Sequence, residues 1–542
     1  MDLRTDAPQS LRGDVAIVGA GAAGIIFARD LCARGLDVLL LESGGQDYEA
    51  TASDLNRGEN VGLDYYPLDH ARLRFFGGTT AIWGGRCAEL DPIDFAVRPW
   101  VPHSGWPFTH ADIQPYYRAA REIFGLAAND PGPNDLRQAG VPLPGFASDE
   151  LATPIWTFDD RSDRFAIKSS DDLIRHPRCT IVLHATVCDI RTDENARSVT
   201  KLIVSRPDGR RVEVAAADYV LAAGGIENPR LLLASRSVMP MGLGNHHDQV
   251  GRYFMEHPHA RGGRIVESDA RRLFAAFAKR RLSSATVAPL IAAAPALQAR
   301  EGLLNTSLTI APRRPATGSE AWAMRAYLHA KDKRDPDRIG RTLWRTTKKG
   351  VAWLQQRVDP LRPALLHRLG RLDVALVVRG EQAPNPDSRV TLSAEQDALG
   401  MPRVRLDWRT SPLDVHSVAH LVAALGRETQ RLGLGRTEPA PWLSDPSRQW
   451  VTDKLISAHP IGGYHHIGTT RMSNDATKGV TDKHGCVHGI DNLYIAGSSL
   501  FPTSGWANPT LTIAALALRT SERLAAKAQL RSAHRQAHKA SA

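Results

Sequence analysis

Two adjacent histidines, His465 and His466, stand in "IGGYHHIGTTRM" (461–472), and Asn508 stands directly before a proline in "GWANPT" (505–510). These side-chain types suit one kind of chemistry. An imidazole titrates near neutrality, so it can take a hydroxyl proton as hydride leaves the carbinol carbon. An amide nearby can hold the oxygen. If the histidine tract is extended, its successive side chains point to opposite sides, so at most one of the pair faces a reaction. The alternatives are a core histidine and an asparagine that only caps the following helix.

A hydride needs an acceptor, and the N-terminal residues provide a place for one. Residues 14–42, "DVAIVGAGAAGIIFARDLCARGLDVLLLE", read as an apolar strand, a glycine-rich turn, a helix and a second strand ending in an acid. Gly19, Gly21 and Gly24 fit GxGxxG: a tight turn, a close approach to a pyrophosphate, and a helix packed on its strand. Glu42 stands where a carboxylate would meet a ribose 2′-hydroxyl, which disfavours a 2′-phosphate and leaves FAD or NAD.

Later tracts separate these two. "LRFFGGTTAIWGGRCAELDPIDF" (73–95) has little periodicity, and through Gly77, Gly78, Thr79, Trp83 and Gly84 it offers backbone N–H groups and small hydroxyls to a flat ligand. "VLHATVCDI", with Val187, and "YVLAAGGIENPRLLLASR" (219–236), with Ala223 and Gly224, read as further parts of the same sheet. The second of these runs into a helix with Pro229 near its first turn. "NLYIAGSSLFPTSGWANPTLTIAALALR" gives a short strand ending at Gly497, a loop with Ser498, and a helix beginning near Pro509 and Thr510. The unpaired N–H groups of that helix start suit the pyrimidine of a flavin, which gains negative charge on reduction, whereas a nicotinamide has no such need.

Organisation follows from these placements. Residues 1–255, with a loop or lid excursion at about 95–160, and residues 456–525 should form one α/β domain built from both ends of the chain. Residues 256–455 should form an inserted, antiparallel α+β substrate domain, with "VALVVRGEQAPNPDSRVTLSAEQDALGMPRVRLDWR" its clearest strand-like stretch, and 526–542 a basic tail.

Composition narrows the classes. There is no apolar run of membrane-spanning length and no signal-like N-terminus, so a cytoplasmic location and no transmembrane segment are expected. The net charge of +10 gathers in 331–350 and 519–542, read as a solvated helix face and a fraying helix, with no nucleic-acid motif beside them. Cys32, Cys87, Cys179, Cys188 and Cys486 are scattered and never spaced as CxxC, which suggests neither disulfides nor a metal site.

"VAIVGAGAAGIIFARDL…LLLESG", "GGTTAIWGG", "LAAGGIENPRLLL", "YHHIGTTRM" and "NLYIAGSSLFPTSGWANPTLTIAALALR" occur in this order, and the chain resembles the glucose-methanol-choline (GMC) oxidoreductases. The resemblance implies FAD as cofactor. It also implies His465, first in a Y-H-x-x-G-T pattern, as the catalytic histidine, Asn508 as its partner, and a supporting role for His466. In style the chain is closest to pyranose 2-oxidases, bacterial glycoside and sugar dehydrogenases, and the large subunits of fructose or gluconate dehydrogenases. That implies a sugar, glycoside or polyol-like substrate, oxygen or another electron acceptor, and a possible redox partner subunit. Where pyranose 2-oxidases attach FAD through a histidine before the tryptophan of "GGTTAIWGG", this chain has Ile82 before Trp83, so FAD is expected to bind non-covalently. Four rivals stay open here: a lyase that keeps FAD structurally, a GMC alcohol oxidase or dehydrogenase acting on a non-carbohydrate alcohol, a silent partner-binding subunit, and an NAD-dependent dehydrogenase.

Overall fold

A computed structural model describes residues 1–6, 8–161, 163–282, 285–316, 337, 339–343, 346, 362–457 and 461–540. Five parallel strands lie side by side in the order Cys179–Val182, Val38–Leu41, Ser10–Val18, Arg211–Leu221 and Leu493–Ile495. Val15–Val18 and Val38–Leu41 are buried throughout, as strands covered on both faces must be. Arg211–Leu221 is long enough for two duties. Its second half pairs with Leu493–Ile495, and its first half carries the antiparallel strand Val199–Ser205, which in turn pairs with Thr186–Thr192. The two ends of the chain thus meet in one α/β sheet.

The helix Ala22–Ala33 follows the first strand and packs against a long helix, Thr510–Ala540. That helix runs on through the segment read as a tail. Lys527 donates to buried Asp218 at 2.9 Å and Arg531, one turn later, donates to the same carboxylate, so two cations on one helix face meet a single acid. Most of the basic segment 331–350 lies outside the described residues. Among the described residues no helix is long and apolar enough to cross a membrane.

A second, antiparallel sheet has the order Arg436–Pro439, His259–Val266, Asp373–Arg379, Ser307–Arg313, Ile291–Ala293 and Leu151–Ala152. It has its own core, in which Val374, Leu376 and Val378 meet Leu421, Val422 and Leu425 of the helix Pro412–Arg431. Ser411 and Asp414 close a reciprocal cap at the start of that helix.

Three elements sit differently from the sequence reading. The 95–160 excursion supplies Leu151–Ala152 to the second sheet, and Ile155–Phe158 to a four-stranded sheet with Arg86–Cys87, Thr286–Pro289 and Arg280–Arg281. The strand Arg389–Gln396 pairs with Pro402–Asp407, which pairs in turn with Gly58–Asn60, and all three stay out of the second sheet. Alternating polarity shows that a strand is half buried and says nothing of which surface buries it; Val390, Val404 and Trp408 find cover on Ile226 and Phe254. Finally, the helix carrying Pro229 starts earlier, as Gly224–Ala234, so the proline lies inside it. The Gly225 carbonyl, which Pro229 has no N–H to reach, accepts the Thr469 hydroxyl at 2.6 Å.

Candidate active site

One cavity passes across the carboxyl ends of the parallel strands and opens toward the second sheet. Gly19, Gly21, Glu42, Gly77, Gly78, Thr79, Trp83, Gly84, Val187, Ala223, Gly224, Gly497, Ser498, Pro509 and Thr510 line it, and so do His465 and Asn508. Gly24 lies behind the wall. A Cβ there would meet the Gly19 carbonyl oxygen at 1.9 Å, so this glycine lets the helix sit on its strand. A Cβ at Gly21 would meet no protein atom, which leaves the space beside the turn clear for a phosphate. Glu42 is buried. Its two carboxylate oxygens accept the N–H groups of Ala20 and Gly44 at 3.0 and 2.9 Å, with lone pairs remaining for a ribose hydroxyl. The "GGTTAIWGG" tract, expected as a loop without helical character, forms a short 3-10 turn, Gly78–Ile82.

At the other end stands His465. Its tract is irregular, with Tyr464 at φ +58°, yet the two histidines do part. The His466 ring is buried and meets the Tyr65 hydroxyl at 3.1 Å, while Tyr65 itself donates to Glu256 at 2.6 Å. Burial pulls His466 down to about 3. His465 turns toward Asn508 and His257 instead.

Hydrogen-bond partners fix the tautomers. His257 Nε2 lies 2.8 Å from the Gly505 carbonyl oxygen, which can only accept, so the proton of His257 is on Nε2. Burial holds His257 neutral, down at about 4, so its Nδ1 is an acceptor. His465 Nδ1, 2.7 Å away, must then be the donor, which leaves His465 Nε2 with a lone pair. Asn508 Nδ2 lies 3.2 Å from that nitrogen. The asparagine is engaged by the imidazole, and the alternative of a simple helix cap is not what its side chain does here.

The backbone is pinned as firmly as the rings. Glu256 accepts the N–H groups of His257, Gly463 and His465 at 2.9, 3.1 and 2.9 Å, in addition to the Tyr65 hydroxyl. Four donors satisfy a fully buried carboxylate, which burial nonetheless pushes upward. The glycines of "IGGYHH" make room for this: a Cβ at Gly462 would lie 2.8 Å from the Glu256 carboxyl carbon, and one at Gly463 would lie 2.6 Å from the His465 ring.

His257 and Glu256 escaped the sequence reading. Their signal is the stretch "MEHPH" (255–259), which crowds an acid and two histidines into five residues beside the boundary assigned between the two domains. Arg86 and Arg379, which also line the cavity, escaped as well.

Comparison with known proteins gives the following. Residues 14–242 match a family model described as FAD dependent oxidoreductase, and residues 384–517 match one described as GMC oxidoreductase. A 6'''-hydroxyparomomycin C oxidase of Streptomyces lividus is 27% identical over 94% of this chain and 91% of its own length. The fructose dehydrogenase large subunit of Gluconobacter japonicus is 24% identical over 95% of this chain and 98% of its own. The crystal structure of pyridoxine 4-oxidase from Mesorbium loti shares the fold, with a TM-score of 0.53 over 94% of this chain and 98% of that one at 17% identity.

Proposed function

The chain belongs to the GMC oxidoreductases, FAD-dependent enzymes that oxidise CH–OH donors, and from that premise we propose that it oxidises a sugar, glycoside or polyol-like alcohol with His465 as base and Asn508 as its partner. FAD, when bound, supplies the hydride acceptor. The cavity suits that group. Gly21, Gly224 and Gly497 all line it with no protein atom within 4 Å of where a Cβ would stand, so the backbone can approach a ligand closely at three points. Gly19 to Gly24 and Glu42 would hold the dinucleotide part, and the N–H groups of Thr510 and the residue after it, at the helix start, would face the flavin pyrimidine. Ile82 offers no nucleophilic atom, in keeping with non-covalent attachment.

The observation that carries the reading is the lone pair on His465 Nε2. It lies 3.2 Å from Asn508 Nδ2, so a hydroxyl that comes up beside the pair, within reach of both nitrogens, can give its proton to the imidazole while the amide N–H holds its oxygen. Once His465 is protonated, its Nδ1–H still donates to a neutral His257, so the imidazolium keeps its orientation. The carbohydrate class is supported by relatives named for sugar and aminoglycoside oxidation. The acceptor is oxygen or another oxidant, a partner subunit's redox centre being one form of the latter.

The test is anaerobic reduction of the FAD-loaded protein by a panel of sugars, glycosides and polyols, followed by the visible absorbance of the oxidised flavin. Bleaching by one class, lost in His465→Ala with FAD still bound, is the expected result, and admission of air then separates oxidase from dehydrogenase. A bound flavin that no alcohol reduces would overturn the reading in favour of a lyase or a silent subunit.

A further inference from the structure

Arg86 and Arg379 line the same cavity as His465 and Tyr464, and both come from the sheets that face the substrate side. Arg86 begins the strand Arg86–Cys87 and Arg379 ends Asp373–Arg379, where it pairs in register with His259, two residues beyond His257. Their guanidinium carbons lie 4.9 and 5.0 Å from the ring of Trp156. Arg313 adds a third cation nearby, with its Nη1 on the Pro312 carbonyl at 2.9 Å.

What these groups lack is a counter-ion. Among the described residues Arg86 has neither an ion pair nor a side-chain hydrogen bond, and Arg379 has one neutral partner, His259 Nε2 at 2.9 Å. The Nε atoms of both are buried without a partner. Carboxylates close by are committed elsewhere. Glu381 holds Arg98 through two bonds of 2.7 and 2.6 Å, Glu256 is filled by its four donors, and Asp159 holds Arg164 at 2.6 Å. Burial lowers all three arginines and neighbouring cations add to it, Arg313 acting on Arg86, Arg86 and Arg313 on Arg379, and Arg261 on Arg313, with Arg86 brought down to about 10.

An unpaired, half-buried charge whose Nε is closed off from water is costly, and an indole face compensates only in part. Cations kept in this state at the mouth of a reacting centre have the makings of a ligand site. The phosphates of FAD are not that ligand, because the glycine turn at Gly19–Gly24 is the place that would receive them. We propose that the substrate carries an anionic group, a carboxylate or a phosphate, that docks on Arg86 and Arg379 while its carbinol faces His465 and Asn508. This rests on the alcohol-oxidising reading above. The guanidinium fork matches both kinds of oxyanion, and the experiment separates them.

The FAD-loaded enzyme is titrated anaerobically with matched sets that share ring hydroxyls: glucose, glucuronate, its methyl ester and glucose 6-phosphate, and the corresponding galactose set. Binding is read from the perturbation of the flavin spectrum and reduction from its bleaching. An acid or a phosphate should bind about ten- to a hundredfold more tightly than its neutral counterparts. Arg86→Gln and Arg379→Gln should each shrink that ratio, Arg379→Lys should retain part of it, and added salt should weaken the charged member alone. Preference for the uronate or for the phosphate names the source of the anion. Equal or tighter binding of neutral members, an anion preference that survives in the double Gln variant, or no perturbation by any member would overturn the proposal. Arginine-dependent binding of the acid without bleaching would retain the anion site and sink the hydride-transfer reading, whereas bleaching by neutral sugars without preference would do the reverse.

Discussion

The two ends of the cavity are built by different means. At the Gly19–Gly24 end, the wall is a strand–turn–helix whose parts follow one another within a few residues, and it works through backbone N–H groups and missing Cβ atoms. At the His465 end the working atoms are side chains from three separated stretches, 256–257, 463–466 and 505–508, held in register by hydrogen bonds from one stretch to the next. The first kind of site tolerates many ligands of similar shape. The second depends on single atoms, so substitutions should act on it more sharply and without loss of the fold.

The largest effect should come from the base. His465→Ala is expected to slow anaerobic flavin reduction by about 10²- to 10⁴-fold with FAD retained, as stopped-flow absorbance would show. A variant that reduced its flavin at the native rate would place the base elsewhere. At the other end, Gly24→Ala forces a Cβ onto the Gly19 carbonyl oxygen and should destabilise the protein by about 1–3 kcal/mol or more even without FAD. Gly21→Ala meets only open space and should leave apoprotein melting unchanged while weakening retention of FAD. Identical behaviour of the two glycine variants would break the distinction between packing and ligand approach.

Asn508→Ala removes one donor and should cost about 1–3 kcal/mol in the reduction step, less than loss of the base itself. The last effect is one of pH. His257 at about 4 and His466 at about 3 lie below the ordinary 6.5, so between these values the unfolded chain binds protons that the native state refuses. Stability therefore rises with pH across that window and is lost on acidification, by about 1.4 kcal/mol per pH unit for each histidine. His466→Gln should flatten the pH dependence of urea unfolding by about one proton, and an unchanged slope would mean that native His466 carries charge.

What could be read in the sequence follows the same division. The βαβ unit, the glycines, Glu42 and the helix start at Pro509–Thr510 are local patterns, and each lines or backs the cavity. His465 and Asn508 could be singled out by type and context, but their 3.2 Å approach is a product of folding across 43 residues. His257 gave only a weak local signal because its importance lies in Gly505, whose carbonyl sets the proton on its ring. Arg86 and Arg379 gave none, since an arginine without a partner looks in sequence like any other. The hairpin at 389–407 went to a different sheet from the one expected because its apolar face is matched by Ile226 and Phe254, far away along the chain.

The strand Leu493–Ile495 closes against Tyr219–Leu221 across the entire second sheet in chain order. Synthesis runs from the N-terminus, so the nucleotide sheet waits for one of its last-made strands, and the stretch that brings it also brings Gly497, Asn508 and the helix start. Folding of this half is consequently a late, long-range event, slow by virtue of its contact order, and the nascent chain holds an unfinished sheet edge until then. A ribosome-bound chain halted before Leu493 should leave the site unable to take its cofactor, which makes production of the loaded enzyme sensitive to truncation at the C-terminal end far more than the length of that segment would suggest.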